Sequence, residues 1–174
     1  TEDQRHRDAE VAVLVDQAKA LAQDAGAVAV QGPGVAVSLT DSPLRGDQLP
    51  PGGDLTVDDL VVHQQDVQGV INALWRGGAE AMMIMDQRVI STSAVRCVGN
   101  TLILQGRVYS PPYTITAVGD PGKLRKALTA SPAIQNYMVY VNVYGLGWKV
   151  EDHGTVTLPG YSGTVDLHHA KPVD

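Results

Sequence analysis

Any chemistry in this chain has to come from a short set of side chains. His153, His168 and His169 stand with Asp152 and Asp166, and imidazole with carboxylate is a donor set that suits zinc or copper. Adjacent histidines on a patternless tail do not fix a coordination geometry, so no metal and no other cofactor is expected. Gly119-Asp120-Pro121-Gly122-Lys123 superficially suggests a phosphate loop, but that pattern needs a Gly where Ala117 stands and a Ser or Thr where Leu124 stands. Gly32-Pro33-Gly34 precedes neither a helix nor a Lys-Ser/Thr pair, and reads as a turn. The neighbouring carboxylates Asp58 and Asp59 read as charges that complement a helix N-terminus, not as an acid/base pair. His6 and His63 stand alone. With no nucleophile, base or metal at catalytic spacing, the expectation is a protein that is not an enzyme.

Arg88 and Arg96 carry the most information among the charged residues. Both lie in an otherwise apolar, strand-rich segment, where an unpaired buried guanidinium is very costly. Each must bridge a carboxylate, with Glu80 and Asp86 as candidates, or present its planar fork to a ligand. The second alternative makes Arg88, Arg96, Ser110 and Tyr113 a shallow site for a small anion or a peptide carboxylate. The single cysteine, Cys97, has apolar neighbours in Val95 and Val98 and no His near it, so it reads as a small buried apolar residue.

Elements must hold these residues in place, and the composition allows them. A chain of 174 residues with 44% hydrophobic and 18% charged residues can bury one core, which suits one domain with an appendage. The balance of 13 basic against 19 acidic residues, a formal charge of −6, opposes a phosphate-binding surface, and no nucleic-acid partner is expected. A lone cysteine makes no intramolecular disulfide and leaves the compartment open. No apolar stretch reaches the ~18–20 residues of a membrane span, and no signal peptide opens the chain. Because the first residue is Thr1 and not Met, a trimmed or processed product is expected, with any anchor upstream.

From Asp8 to Ala25 the residues Val11, Leu14, Ala18, Leu21 and Ala25 recur at three and four, which predicts a helix. The stripe keeps heptad spacing over about two heptads, so it fits either the last turns of a parallel coiled coil or a helix packed on its own domain. Ala27 to Gln31 and Val35 to Thr40 read as two strands separated by the Gly-Pro-Gly turn. Residues 41–54, rich in Pro and Gly, read as an exposed loop. Val62, Val67, Val70, Ile71, Leu74 and Trp75 predict an amphipathic helix from about Asp58 to Arg76, closed by Gly77-Gly78. Hairpins are expected across Asp86-Gln87 and across Gln105-Gly106, with a strand over Tyr113 to Val118. Asp120 and Pro121 open the next helix as N-cap and first helical residue. Ile134 to Tyr144 fits a helix or a strand, and Trp148 to Glu151 with Thr155 to Leu158 reads as a closing hairpin. The tail from Gly160 carries no pattern and is expected to fray.

Several ordered blocks resemble the YlxW-like family of bacterial domains, whose function is unknown. They are Gly32-Pro33-Gly34-Val35 with Thr40-Asp41-Ser42, the stretch from Asp66 to Ile84, the Gln87-Arg88 to Arg96-Cys97-Val98-Gly99 run, and Ser110-Pro111-Pro112-Tyr113 to Gly119-Asp120-Pro121. A weaker block runs from Tyr144-Gly145 to Gly160-Tyr161. The resemblance implies an α+β fold, a ferredoxin-like α/β plait with helices on one face of an antiparallel sheet, and favours a helix at 134–144. Residues 1–25 then become the end of a helical stalk, 26–161 the plait and 162–174 a tail. It further implies a single-pass membrane anchor and a coiled-coil stalk upstream, the domain outside the cytoplasmic membrane, self-association through the first helix, and partners among envelope or cell-division proteins. The chain departs from the pattern at Met82-Met83-Ile84-Met85-Asp86, where relatives carry fewer methionines and an Asn-Gly. On so short a strand these methionines read as core filling.

Overall fold

The computed structural model describes residues 2–45, 56–99 and 101–163. Much of the loop expected at 41–54, residue 100 and the tail beyond 163 lie outside the described residues. The chain is a mixed α+β protein with an antiparallel sheet and helices. Helix α1 (Glu2–Asp24) leads through Gly26, which adopts a left-handed φ of 73°, into strand β1 (Val30–Thr40). A 3-10 turn at Val57–Leu60 precedes helix α2 (Gln64–Arg76), then come β2 (Ala81–Ile84) and β3 (Gln87–Arg88). Strands β4 (Val95–Val98), β5 (Thr101–Leu104) and β6 (Arg107–Tyr109) follow, then β7 (Tyr113–Val118), α3 (Pro121–Ala130), α4 (Pro132–Tyr144) and β8 (Gly147–Leu158).

The main sheet runs β3-β2-β7-β1-β8, every neighbouring pair antiparallel. Helix α2 joins β1 to β2, and α3 with α4 joins β7 to β8. Strands β4, β5 and β6 form a second, three-stranded sheet, so the middle of the chain builds two sheets where one was expected. Alternation sets Val35, Val37 and Leu39 of β1 on the helix side, with Ile115 and Ala117 of β7 and Met82 and Ile84 of β2. Val67, Val70 and Leu74 of α2, Leu124 and Leu128 of α3, and Ile134 and Tyr137 of α4 complete this core, which also takes in Leu102 and Leu104 of the small sheet. Met82 is fully buried, as core filling requires.

Local chemistry explains the element ends. Asp120 Oδ1 accepts from Lys123 N at 2.9 Å, with Pro121 at the first turn, so this segment caps a helix. Asp59 caps the 3-10 turn through Thr56, and Asp66 does the same for α2 by accepting from His63 N at 2.8 Å. The expected long helix from Asp58 therefore divides into two elements. Residues 134–144 are helical, and Gln105 and Gly106, with φ of 48° and 80°, turn the β5–β6 hairpin. The β2–β3 hairpin turns one residue earlier than expected, with Met85 at φ 54°.

Three expectations about strands fail. Gly32-Pro33-Gly34 does not separate two strands but lies inside β1 as a bulge, where the register with β8 shifts between Gly32 and Gly34. A Cβ on Gly34 would sit 2.0 Å from the Ala117 carbonyl oxygen, so only glycine permits this crossing. The closing hairpin is instead one strand of 12 residues, because β8 pairs with the whole length of β1. Strand β4 went unrecognised, and its Cys97 is exposed, not buried. Its Sγ accepts from Gln64 N at 3.1 Å while its N–H donates to Gln64 Oε1 at 3.0 Å, which fixes β4 to the start of α2.

Candidate functional site

Arg88 sits in the short β3, opposite Met83, and is 5% exposed. Its Nη1 donates to the carbonyl oxygens of Val28 at 3.1 Å and Pro159 at 2.9 Å. The guanidinium therefore ties together the entry to β1, the exit from β8 and the edge of the sheet. No carboxylate pairs with it among the described residues, and its Nε is buried without a hydrogen-bond partner. Burial pushes the pKa of Arg88 below its ordinary value, the direction expected when a charge loses water. Beside it a cleft of about 380 Å³ opens between Gly26, the outer side of α2 and the segment 88–95. Ile71, Trp75, Ile84 and Ile90 form its apolar walls, while Asp24 and Glu80 also line it.

Asp86, the other expected partner of the arginines, is engaged elsewhere. It accepts from Arg107 Nη1 at 2.6 Å and from the Tyr109 hydroxyl, both on β6. Its carboxyl is held below the usual range by the Tyr109 hydrogen bond first, then by Gln87 and Arg107. This pairing fastens the β2–β3 turn to the small sheet. Arg96 is exposed and lines a different, wider cleft of about 790 Å³ with Arg107, Gln105 and Tyr161.

The remaining residues of the expected anion site do not join either arginine. Ser110 is exposed in the link before β7 and lines neither cleft. Tyr113 is fully buried in the core, its hydroxyl 3.4 Å from the Tyr109 carbonyl oxygen, and burial pushes its phenol up to about 12. Tyr113 lines neither cleft. The structure thus divides the four residues between separate places. Sequence reasoning missed Gly26 and Trp75, which line Arg88's cleft from distant segments. A glycine ending a helix and a tryptophan closing an amphipathic stripe were the available signals.

Among the described residues, no group of three His, Cys, Asp or Glu side chains stands together as a metal site. His153 is exposed on β8, while His168, His169 and Asp166 lie outside the described residues.

A family of bacterial proteins of unknown function, DUF881, matches residues 17–171. The chain belongs to this family. UPF0749 protein Rv1823 of Mycobacterium tuberculosis (strain ATCC 25618 / H37Rv) is 28% identical over 176 residues, 95% of this chain and 54% of that protein. UPF0749 protein YlxW of Bacillus subtilis (strain 168) is 34% identical over 103 residues, 59% of this chain and 42% of its own length. The resemblance to YlxW-like proteins read from the sequence is thereby established. A crystal structure of an uncharacterized conserved protein from Mycobacterium tuberculosis superposes with a TM-score of 0.66 at 28% identity, over 90% of this chain and 99% of that one. The chain spans about half the length of the curated relatives it matches. None of these DUF881 relatives carries a name that states an activity.

Proposed function

We propose that this DUF881 chain is a non-enzymatic interaction module of the bacterial envelope, carried outside the cytoplasmic membrane on a helical stalk whose end is α1. The observation that carries the reading is α1 itself. Within its 23 residues Val11, Leu14, Ala18 and Leu21 keep heptad spacing, yet Val11, Leu14 and Leu21 remain 58%, 63% and 69% exposed. This exposure favours the end of a stalk over a helix packed on its own domain. Apolar side chains repeated at heptad spacing and left in water are suited to a second copy of the same helix. No described helix is long and apolar enough to cross a membrane.

The body fits a ferredoxin-like plait. The order β2-β7-β1-β8, with one helical crossover from β1 to β2 and another from β7 to β8, is a split βαβ arrangement, and β3 extends one edge. Envelope and division proteins are the proposed partners, and the plait offers them surface, not catalysis. Cys97 supplies the test of location, being this chain's single cysteine and exposed. In intact cells a membrane-impermeant maleimide is expected to label full-length protein, and Cys97→Ser to remove the label from this region. Labelling only after lysis refutes the location. Cross-linking in intact cells, with and without residues 1–25, then identifies partners and the part that contacts them.

A further inference from the structure

Arg88 carries a second inference, independent of the stalk. A guanidinium offers five N–H donors. Here Nη1 is committed to Val28 and Pro159, while Nε, on the opposite edge, is buried with no acceptor. Buried donors without partners are rare in native proteins, and a charged one is costlier still. A Cβ on Gly26 would lie 3.0 Å from Ile90 Cγ2, 3.8 Å from Nη2 and 3.9 Å from Nε, so the residue facing the Nε–Nη2 edge from this segment brings no side chain against it. That edge has the geometry that takes a carboxylate with two parallel hydrogen bonds.

The cleft at this edge is lined by apolar and polar side chains in about equal measure, and its volume of about 380 Å³ falls within the range of small-ligand sites. Asp24 and Glu80 line the same cleft, which disfavours a purely anionic occupant and suits one that also carries a positive charge. We propose that the cleft beside Arg88 binds an amino-acid-like zwitterion, a free amino acid or the end of a short peptide. Its carboxylate would sit on the Nε–Nη2 edge, its apolar part against Ile71 and Trp75, and its ammonium toward Asp24 or Glu80.

The test is an NMR titration of the isotope-labelled 174-residue chain with alanyl-leucine, its C-terminal amide, its N-acetyl form and inorganic phosphate. The dipeptide is expected to give saturable shifts at the Gly26 amide and the Trp75 indole. The C-terminal amide should bind about tenfold or more weakly because it loses the charged bidentate pair. The N-acetyl form should bind more weakly than the dipeptide. Trp75→Ala, on the surface of α2, should weaken binding several-fold, and Arg88→Lys, which keeps charge but not the fork, should abolish it. If the Arg88 variant does not fold, the amide comparison and Trp75→Ala still decide. No saturation by ~10 mM, an unaffected amide, or phosphate binding as well as the dipeptide overturns the proposal. None of these results bears on self-association of α1, which is read from mass.

Discussion

Replacing Leu14 and Leu21 of α1 by glutamate tests the stalk reading most directly. The two leucines are 63% and 69% exposed, so about two thirds of their surface awaits burial. Complete burial of a leucine side chain contributes roughly 1.5–3 kcal/mol, so each has about 1–2 kcal/mol left to gain. Four such side chains meet in a parallel dimer, which gives about 4–8 kcal/mol per dimer, or roughly three to six decades in the dissociation constant. The stripe covers only about two heptads, so the wild-type chain is expected to dimerise at high micromolar concentration, where the variant stays a monomer. The α+β body should be indifferent to the change, because neither leucine belongs to its core, and exposed substitutions move stability by about 0.5 kcal/mol or less. Sedimentation equilibrium over a range of concentrations measures the mass, and thermal unfolding of the same samples measures the body. A wild-type chain that is monomeric at millimolar concentration, or a variant that dimerises equally well, refutes the reasoning. Loss of the body's melting transition in the variant refutes the separation of stalk from body.

Other outcomes follow from the core and its edges. Asp120→Ala removes the cap on Lys123 N and should cost about 1 kcal/mol in urea unfolding. Gly77→Ala brings a Cβ to 2.9 Å from the Ala127 Cβ and 3.2 Å from the Leu124 Cα, and should destabilise by about 1–3 kcal/mol of overpacking, less the ~0.4–1 kcal/mol gained from a stiffer unfolded chain. Gly78→Ala, with φ of 86° and open space around it, should show only the backbone penalty of about 1 kcal/mol, so denaturation curves of the two variants separate crowding from strain. Burial raises the phenols of Tyr113, to about 12, and of Tyr137. The unfolded chain releases these protons near pH 10, and the folded chain holds them longer. Stability fully present below pH 10 should therefore be lost as pH rises toward 12, with the phenolate absorbance of these two tyrosines appearing on unfolding.

Where a local rule determined structure, the sequence was legible. The stripe from Val67 to Leu74, the Asp120-Pro121 start and the Gln105-Gly106 turn each carry their reason within a few residues, and each forms as expected. Two of the larger misreadings involve partners far along the chain. Asp152, His153 and Gly154 look like a turn in isolation, but β1 offers a full-length edge, and an outer strand tolerates polar residues on both faces. Gly34 looks like part of a turn until Ala117 comes against it. The candidate site divides along the same line. That a lone arginine in an apolar strand needs an explanation could be read directly. That its partners are the carbonyls of Val28 and Pro159, and that Asp86 goes to Arg107, depends on tertiary contacts with no local signature.

The junction under α1 has a mechanical meaning. Gly26 O accepts from Tyr161 N at 2.8 Å, and Arg88 holds the carbonyls of Val28 and Pro159, so the base of the helix is fastened to both strands at one end of the β1–β8 ribbon. A pull along α1 enters β1 at Val30 to Gly32, which pairs with β8, and then reaches Gly34 to Leu39, which is bonded on both sides, to β7 and to β8. Tension or torque on such a stalk reaches the body through a reinforced root, felt first at the bond from Tyr161 N to Gly26 O and next at those that Arg88 holds.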